Sequence, residues 1–180
     1  GCAATLIDGQ ASCTVTGLDN GVSYRLQVAA VTDAGIGQYS DLSEALIAAT
    51  NPAAVQQLIV SEGNGTLTIS WADPDTLGGG TFTEYRIFIK PSTQSNYDQA
   101  HYWTSSPMNV RSKTVSALTP GGTALVNGAP YDVKIVTVTA ANSAELTANT
   151  TQVNKIPRTV PDAPVVAAPV VAGTELLIAW

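Results

Sequence analysis

Charge is what this chain has least of. Only 12% of its 180 residues are Asp, Glu, Lys or Arg, about half the share usual in globular chains. The 8 Lys and Arg are outnumbered by 14 Asp and Glu, giving a net charge of −6. An acidic surface without a basic cluster repels phosphate backbones, so nucleic acid is not an expected partner. Histidine occurs once, at His101. With no second imidazole, the residues for a zinc site or a histidine-based triad are not at hand, and no metal, cofactor or catalytic residue is expected. Long apolar runs are missing as well: none nears the roughly 20 residues needed to cross a bilayer. No basic-apolar-small leader opens the sequence. The chain begins at Gly1 rather than Met, as a mature product or a window from a longer polypeptide would. No stretch combines helical apolar spacing with a starting cap, so no helix is expected. Gly78-Gly79-Gly80 lacks the following Lys and helix of a phosphate-cradling loop. Arg-Gly-Asp does not occur.

What the chain does have is 44% hydrophobic residues, enough to bury a core, with Ser, Thr, Asn and Gly supplying most of the polarity. These residues fall in short alternating runs. Tyr24, Leu26 and Val28 share one face of a strand, as do Leu67, Ile69 and Trp71, then Tyr85, Ile87 and Ile89, then Tyr131, Val133, Ile135 and Thr137. Further strands are expected at 3–7 and 12–16 (one hairpin), 42–50, 58–60, 114–118 and 147–156. Turn clusters separate them, at Asp33-Ala34-Gly35, Glu62-Gly63-Asn64-Gly65, and the long loop from Asp73 to Gly80. Many short strands between turn signals predict an all-β sandwich.

The runs also repeat. Leu125, Asn127-Gly128 and Tyr131 echo Leu18, Asn20-Gly21 and Tyr24 at an offset of 107, and Leu176, Ile178 and Trp180 echo Leu67, Ile69 and Trp71 at an offset of 109. At the 107 offset, Asn142 stands where Gly35 stands in the earlier copy. Three units follow: 1–50 as the back half of one, 51–158 complete, and 159–180 as the first two strands of another.

Pro52, Leu58, the Leu67-x-Ile69-x-Trp71 strand, Tyr85-x-Ile87, and Leu125-x-x-Gly128-x-x-Tyr131-x-Val133-x-Ile135 together resemble a fibronectin type III domain. The resemblance covers nearly the whole chain. It implies an immunoglobulin-like Greek-key sandwich, in tandem, with strands A, B and E facing G, F, C and C′. It further implies that Trp71 fills the space between the sheets, and that Tyr131 bonds back to backbone near Leu125 as a tyrosine corner. The structural core is then Trp71, Tyr85, Leu125 and Tyr131, with Leu18, Tyr24 and Trp180 as their counterparts in the flanking units.

Other residues are candidates for more specific roles. Cys2 and Cys13 flank one candidate hairpin. In an oxidising compartment they could close a loop of about 12 residues, worth roughly 2–3 kcal/mol; otherwise they are two small hydrophobes. Tyr97, His101, Tyr102 and Trp103 form the one dense aromatic cluster. It could stack on sugar, contact a neighbouring module, or simply cover the sheet beneath a long loop. Asp73, Asp75 and Glu84 could gather as oxygen ligands for calcium, although solvated turn formers are the commoner case. Asn64 and Asn149 head glycosylation triplets.

The expected role is a structural and interaction segment of a tandem-repeat protein, extracellular on a secreted, surface or filament-forming polypeptide. It would space and display, with neighbouring modules, other copies, surface proteins or polysaccharide as partners. The alternative is an accessory, carbohydrate-contacting module of a secreted polysaccharide-active enzyme. Catalysis by this segment is not expected.

Overall fold

The computed structural model describes residues 2–4, 11–168, 170–172 and 174–177, and those residues contain no helix. In chain order, β1 (Ser23–Tyr24), β2 (Ala29–Thr32), β3 (Gly35–Tyr39) and β4 (Leu46–Ile47) come first. The middle of the chain carries β5 (Gln56–Gly63), β6 (Thr66–Ala72), β7 (Thr81–Pro91), β8 (Trp103–Ser105), β9 (Ser112–Val115), β10 (Tyr131–Ala141) and β11 (Ala144–Lys155). A short hairpin of β12 (Val170–Ala172) and β13 (Glu175–Leu177) follows.

The middle strands make two antiparallel sheets, one ordered β5-β6-β9 and the other β11-β10-β7-β8. This is A-B-E against G-F-C-C′, the all-β Greek-key sandwich of fibronectin type III type. Its core comes directly from the alternation. Leu67 and Ile69 are wholly buried and Trp71 nearly so, while Thr68 and Ser70 take the other face of β6. From the opposite sheet come Tyr85, Ile87, Val133 and Ile135, all wholly buried. Trp71 meets Tyr85 edge-on, with ring centroids 5.2 Å apart, the geometry favoured by the aromatic quadrupole. Tyr131 is buried, and its hydroxyl accepts the Val126 N–H at 3.0 Å, tying the β9–β10 crossing to the start of β10.

Alternation alone does not describe β10. From Ile135 to Thr139 both of its faces are buried. The outer-facing Val136 and Val138 join Phe88 in a second small cluster, roofed by Tyr97 and Tyr102. Lys90 lies on the outer face of β7, opposite the inward Ile89, yet is only 8% exposed. The same roof covers it, and its ammonium donates to Asp132 at 2.7 Å and to the Gln94 carbonyl at 2.6 Å.

Several strand bounds differ from the sequence reading. The expected strand at 42–50 is replaced by Gly35–Tyr39 and the two-residue β4. Between them, the Ser40 and Ser43 N–H groups donate to the Val28 and Leu26 carbonyls at 2.8 and 2.9 Å, while their hydroxyls accept the Val28 and Leu26 N–H groups at 3.2 and 3.0 Å, so side chains supply one half of each pairing. The strand expected at 114–118 runs over Ser112–Val115, with Ala117 left only a bridge to Ala124. Trp103–Ser105, where no strand is expected from the sequence, form β8. Of the first expected hairpin, residues 5–10 lie outside the described residues, and 11–16 carry no strand.

The turn register corrects one equivalence. Thr32 pairs with Gly35, and Ala141 with Ala144. Asn142 therefore matches Asp33, not Gly35: the offset is 107 at the tyrosine and 109 from the turn onward, because the earlier strand is two residues shorter. Leu18 also departs from its expected place in a core, being 40% exposed, and Tyr24 is half-buried. They share a face with Leu26 and Val28, both exposed, and among the described residues no second sheet stands opposite that face. Trp180 lies outside the described residues.

Candidate contact site at one end of the sandwich

A polar contact forms where residues 11–50 meet one end of the sandwich. It is assembled from the loop joining β6 to β7 and the turn joining β10 to β11. The turn is a two-residue hairpin whose central residues, Asn142 and Ser143, have φ of 50° and 64°. Positive φ at both positions matches the twist of the flanking strands, and Asn tolerates it better than other residues with a side chain. Asn142 is thereby held beyond the sandwich. Its Oδ1 accepts the Ile47 N–H and its Nδ2 donates to the Ile47 carbonyl, both at 2.7 Å. A primary amide sets an acceptor oxygen beside a donor nitrogen, so Asn142 satisfies both backbone groups of Ile47 as a neighbouring strand would.

The loop makes the second half of the contact with no side chain at all. The Thr50 N–H donates to the Gly78 carbonyl at 2.9 Å, and the Ala53 N–H to the Thr76 carbonyl at 2.9 Å. Gly78 and Gly79 have φ of 67° and 87°. A Cβ on Gly78 would overlap the Thr50 carbonyl oxygen, and one on Gly79 would overlap the Gly21 nitrogen. The loop backbone thus lies directly on that of Asn20-Gly21 and Thr50-Asn51. Glycine is needed here twice over, for conformation and for approach. On the receiving side the Gly21 N–H donates to the Ala48 carbonyl at 2.8 Å, and the Asn20 amide to the Thr50 hydroxyl at 3.2 Å.

The residues singled out from sequence sit elsewhere. Cys2 and Cys13 are joined as a disulfide, with Cα atoms 6.1 Å apart. Trp71, Tyr85, Leu125 and Tyr131 are buried in the sandwich. The aromatic cluster is divided between two places. Trp103 packs on the main core and donates from its indole nitrogen to the Ala117 carbonyl at 3.2 Å. Tyr97 and Tyr102 lie over the outer face, with Lys134 4.3 Å from the Phe88 centroid and 4.8 Å from that of Tyr97, and Arg86 5.0 Å from that of Tyr102. His101 is exposed and pairs only with Asp98, at 2.8 Å. These rings face the protein's own cations and sheet, and they do not form one flat platform. Asn64 and Asn149 are exposed, one in the β5–β6 turn and the other on β11.

The carboxylates considered for calcium are dispersed among other partners. Asp73 takes Arg111 through two contacts and the Tyr85 hydroxyl at 3.2 Å. The Arg111 guanidinium holds the Asp73 carboxyl below its usual range, against the opposing effect of burial. Burial first, and the nearby Asp73 charge second, push the Tyr85 hydroxyl up to about 12. Glu84 binds Arg86, and Asp75 accepts from Gln56. Asp132 is opposed by burial, but Lys90, the Ser92 hydroxyl and the Asn154 N–H together bring its carboxyl below the usual range.

Sequence reasoning missed the contact site. Spacing presents Asn142 only as the counterpart of a turn glycine, and Gly78-Gly79 only as part of a long loop. The one available signal was the position of that glycine run, in a loop at the same end of the sandwich as the linker.

No family model matches the chain. The Kelch domain-containing protein SSO1033 of Saccharolobus solfataricus is 30% identical over 140 residues, which is 73% of this chain and 18% of that protein. Among solved structures, the fourth FNIII domain of a human protein aligns with a TM-score of 0.47 and 14% identity, covering 69% of this chain and 94% of that one. Titin domains A168–A170 align at 0.41 and 14% identity, covering 64% and 36%. The rat CD45 extracellular region, domains d3–d4, aligns at 0.41 and 11% identity, covering 86% and 75%. At such values the fold assignment rests on the strand order above and not on these likenesses. No helix among the described residues is long and apolar enough to cross a membrane.

Proposed function

We propose that the chain is a structural and interaction segment of a tandem-repeat polypeptide that works outside the cell, on a secreted, surface or filament-forming protein. In this reading residues 1–50, 51–158 and 159–180 belong to three successive modules, each spacing and orienting the next. Its partners are neighbouring modules of the same chain or other copies of it.

The observation that carries the reading is the contact between Asn142 and Ile47 with the glycine loop packed beside it. A flexible tether between independent domains requires neither. Two hydrogen bonds to one backbone residue, combined with backbone-on-backbone packing, leave little freedom for relative rotation. The joint therefore transmits orientation, which is what a spacer must do. The disulfide supports an oxidising compartment.

Residual dipolar couplings test this directly. Residues 20–50 and 56–155 of the intact chain are expected to share one alignment tensor. Two independent tensors would mean a hinge, and the spacer reading would be abandoned.

A further inference from the structure

The pole of residues 11–50 that meets the sandwich can be compared with the far end of the sandwich, because the first is seen in contact and the second carries the matching half of the same contact. At the contacted pole, Gly21 has φ 80°, donates its N–H to the Ala48 carbonyl at 2.8 Å, and lies beside a tyrosine corner in which the Tyr24 hydroxyl accepts the Asp19 N–H at 3.0 Å. At the far end, Gly128 has φ 84°, donates to the Pro157 carbonyl at 2.9 Å, and lies beside the Tyr131 corner, also at 3.0 Å. The linkers match too. Ile47, Thr50 and Pro52 correspond to Ile156, Thr159 and Pro161 at one offset of 109. The two poles are built alike.

They differ in what covers them. A Cβ at Gly21 would lie 3.6 Å from the Gly79 Cα, whereas a Cβ at Gly128 would meet nothing within 4 Å. We propose that the pole formed by Asn127-Gly128 and Pro157 to Thr159 is a second docking surface, and that its occupant is the β6–β7-type loop of a following module, carrying paired small residues as Gly78-Gly79 do. This rests on the spacer reading and names its next contact.

The surface is braced from within its own module. Asn127 accepts the Gly65 N–H and donates to Asn64 Oδ1, both at 2.7 Å. The Ile156 N–H donates to Glu62 at 2.9 Å, and Arg158 pairs with the same carboxylate at 2.9 Å. Because the Ile156 N–H is already engaged, an amide grip like that of Asn142 on Ile47 is not repeated there. The docking runs through the open face of Gly128 and the exposed Thr159 N–H, the counterpart of the Thr50 N–H that donates to Gly78.

The test uses an extended chain in which residues 1–160 are followed by a second copy of residues 52–158. The appended module is suited to fold unaided, since the sandwich closes its core from its own strands. Amide hydrogen exchange at Thr159 is expected to slow at least tenfold in the extended chain relative to the present one, independent of concentration. Gly128→Asn, which keeps the left-handed conformation but fills the open face, is expected to remove that protection. Gly79→Val in the appended copy alone should remove it as well, and it serves if Gly128→Asn unfolds the chain.

If Thr159 stays unprotected while Thr50 is protected, the docking surface is refuted and the spacer reading stands. If neither is protected, the spacer reading fails with it. Protection that appears only at high concentration, or that survives both variants, also overturns the proposal.

Discussion

Asn142 and Ile47 are 95 residues apart in sequence, yet both side-chain amide atoms of the first bond both backbone atoms of the second, at 2.7 Å each. The pair joins the tip of the β10–β11 hairpin to β4, which is itself paired with β1. It is the point at which the energetics of the joint can be separated from those of the sandwich.

Asn142→Gly keeps the positive φ the turn requires and deletes the grip. The sandwich should keep its stability to within about 0.5 kcal/mol, measured by chemical denaturation. The Ile47 amide should exchange faster, and the shared alignment tensor should be lost. An unchanged tensor would show that the glycine loop alone fixes the joint.

Gly79→Val should act on the same joint by collision, since its Cβ has no room against Gly21. Gly79 also has φ 87°, so part of the effect is strain within the loop. Comparing Gly79→Val with Gly79→Asn separates the two, because Asn tolerates the conformation but still fills the gap.

Tyr131→Phe removes the hydroxyl that accepts the Val126 N–H and should destabilise the sandwich by about 1–2 kcal/mol without altering its fold. Tyr24→Phe deletes the equivalent bond to Asp19 in an exposed setting, so it should cost less. Equal losses would mean that the flanking segment contributes to the sandwich's stability.

Trp103→Ala should cost about 2 kcal/mol, less than a fully buried Trp would, because the ring is half-buried and loses one bond to Ala117. Tyr102→Ala opens the outer roof instead and should cost less, while leaving Trp fluorescence unchanged. A larger loss at Tyr102 would reverse this assignment of roles.

Stability should fall at both extremes of pH. Asp73 and Asp132 have folded values below the unfolded carboxyl value of about 3.9. Their contribution is present above that value and is lost as pH drops through the lower folded ones. Tyr85 and Tyr97 are pushed up to about 12, chiefly by burial. Their contribution is complete below an unfolded value of about 10 and is lost between there and about 12. Denaturation midpoints across pH 2–12 check both windows, and Asp73→Asn should shrink the acid one.

The inward faces of the sandwich's strands were legible because period-two burial is local, whereas their order followed only from the resemblance to a fibronectin type III domain. Leu67, Ile69 and Trp71 declare their inward face by spacing alone, as do Tyr85 and Ile87. The Leu-Asn-Gly-Tyr segment was legible as a repeat, and the resemblance implied the tyrosine corner that the Tyr131 bond to Val126 forms. Where side chains reached across the chain, spacing failed. The Ser40 and Ser43 hydroxyls shortened an expected strand, and the roof over Phe88 buried both faces of β10. Neither partner set is adjacent in sequence.

The sequence by itself determined an all-β fold with a low-charge surface, because alternation, turn residues and composition are properties of neighbouring positions. Tertiary structure alone decided that the aromatic cluster divides between two sides of a sheet. It also decided that Gly78-Gly79 and Asn142 form the joint. Those outcomes depend on which loops reach the same end of the sandwich, and that is set by the packing of strands far apart in the chain.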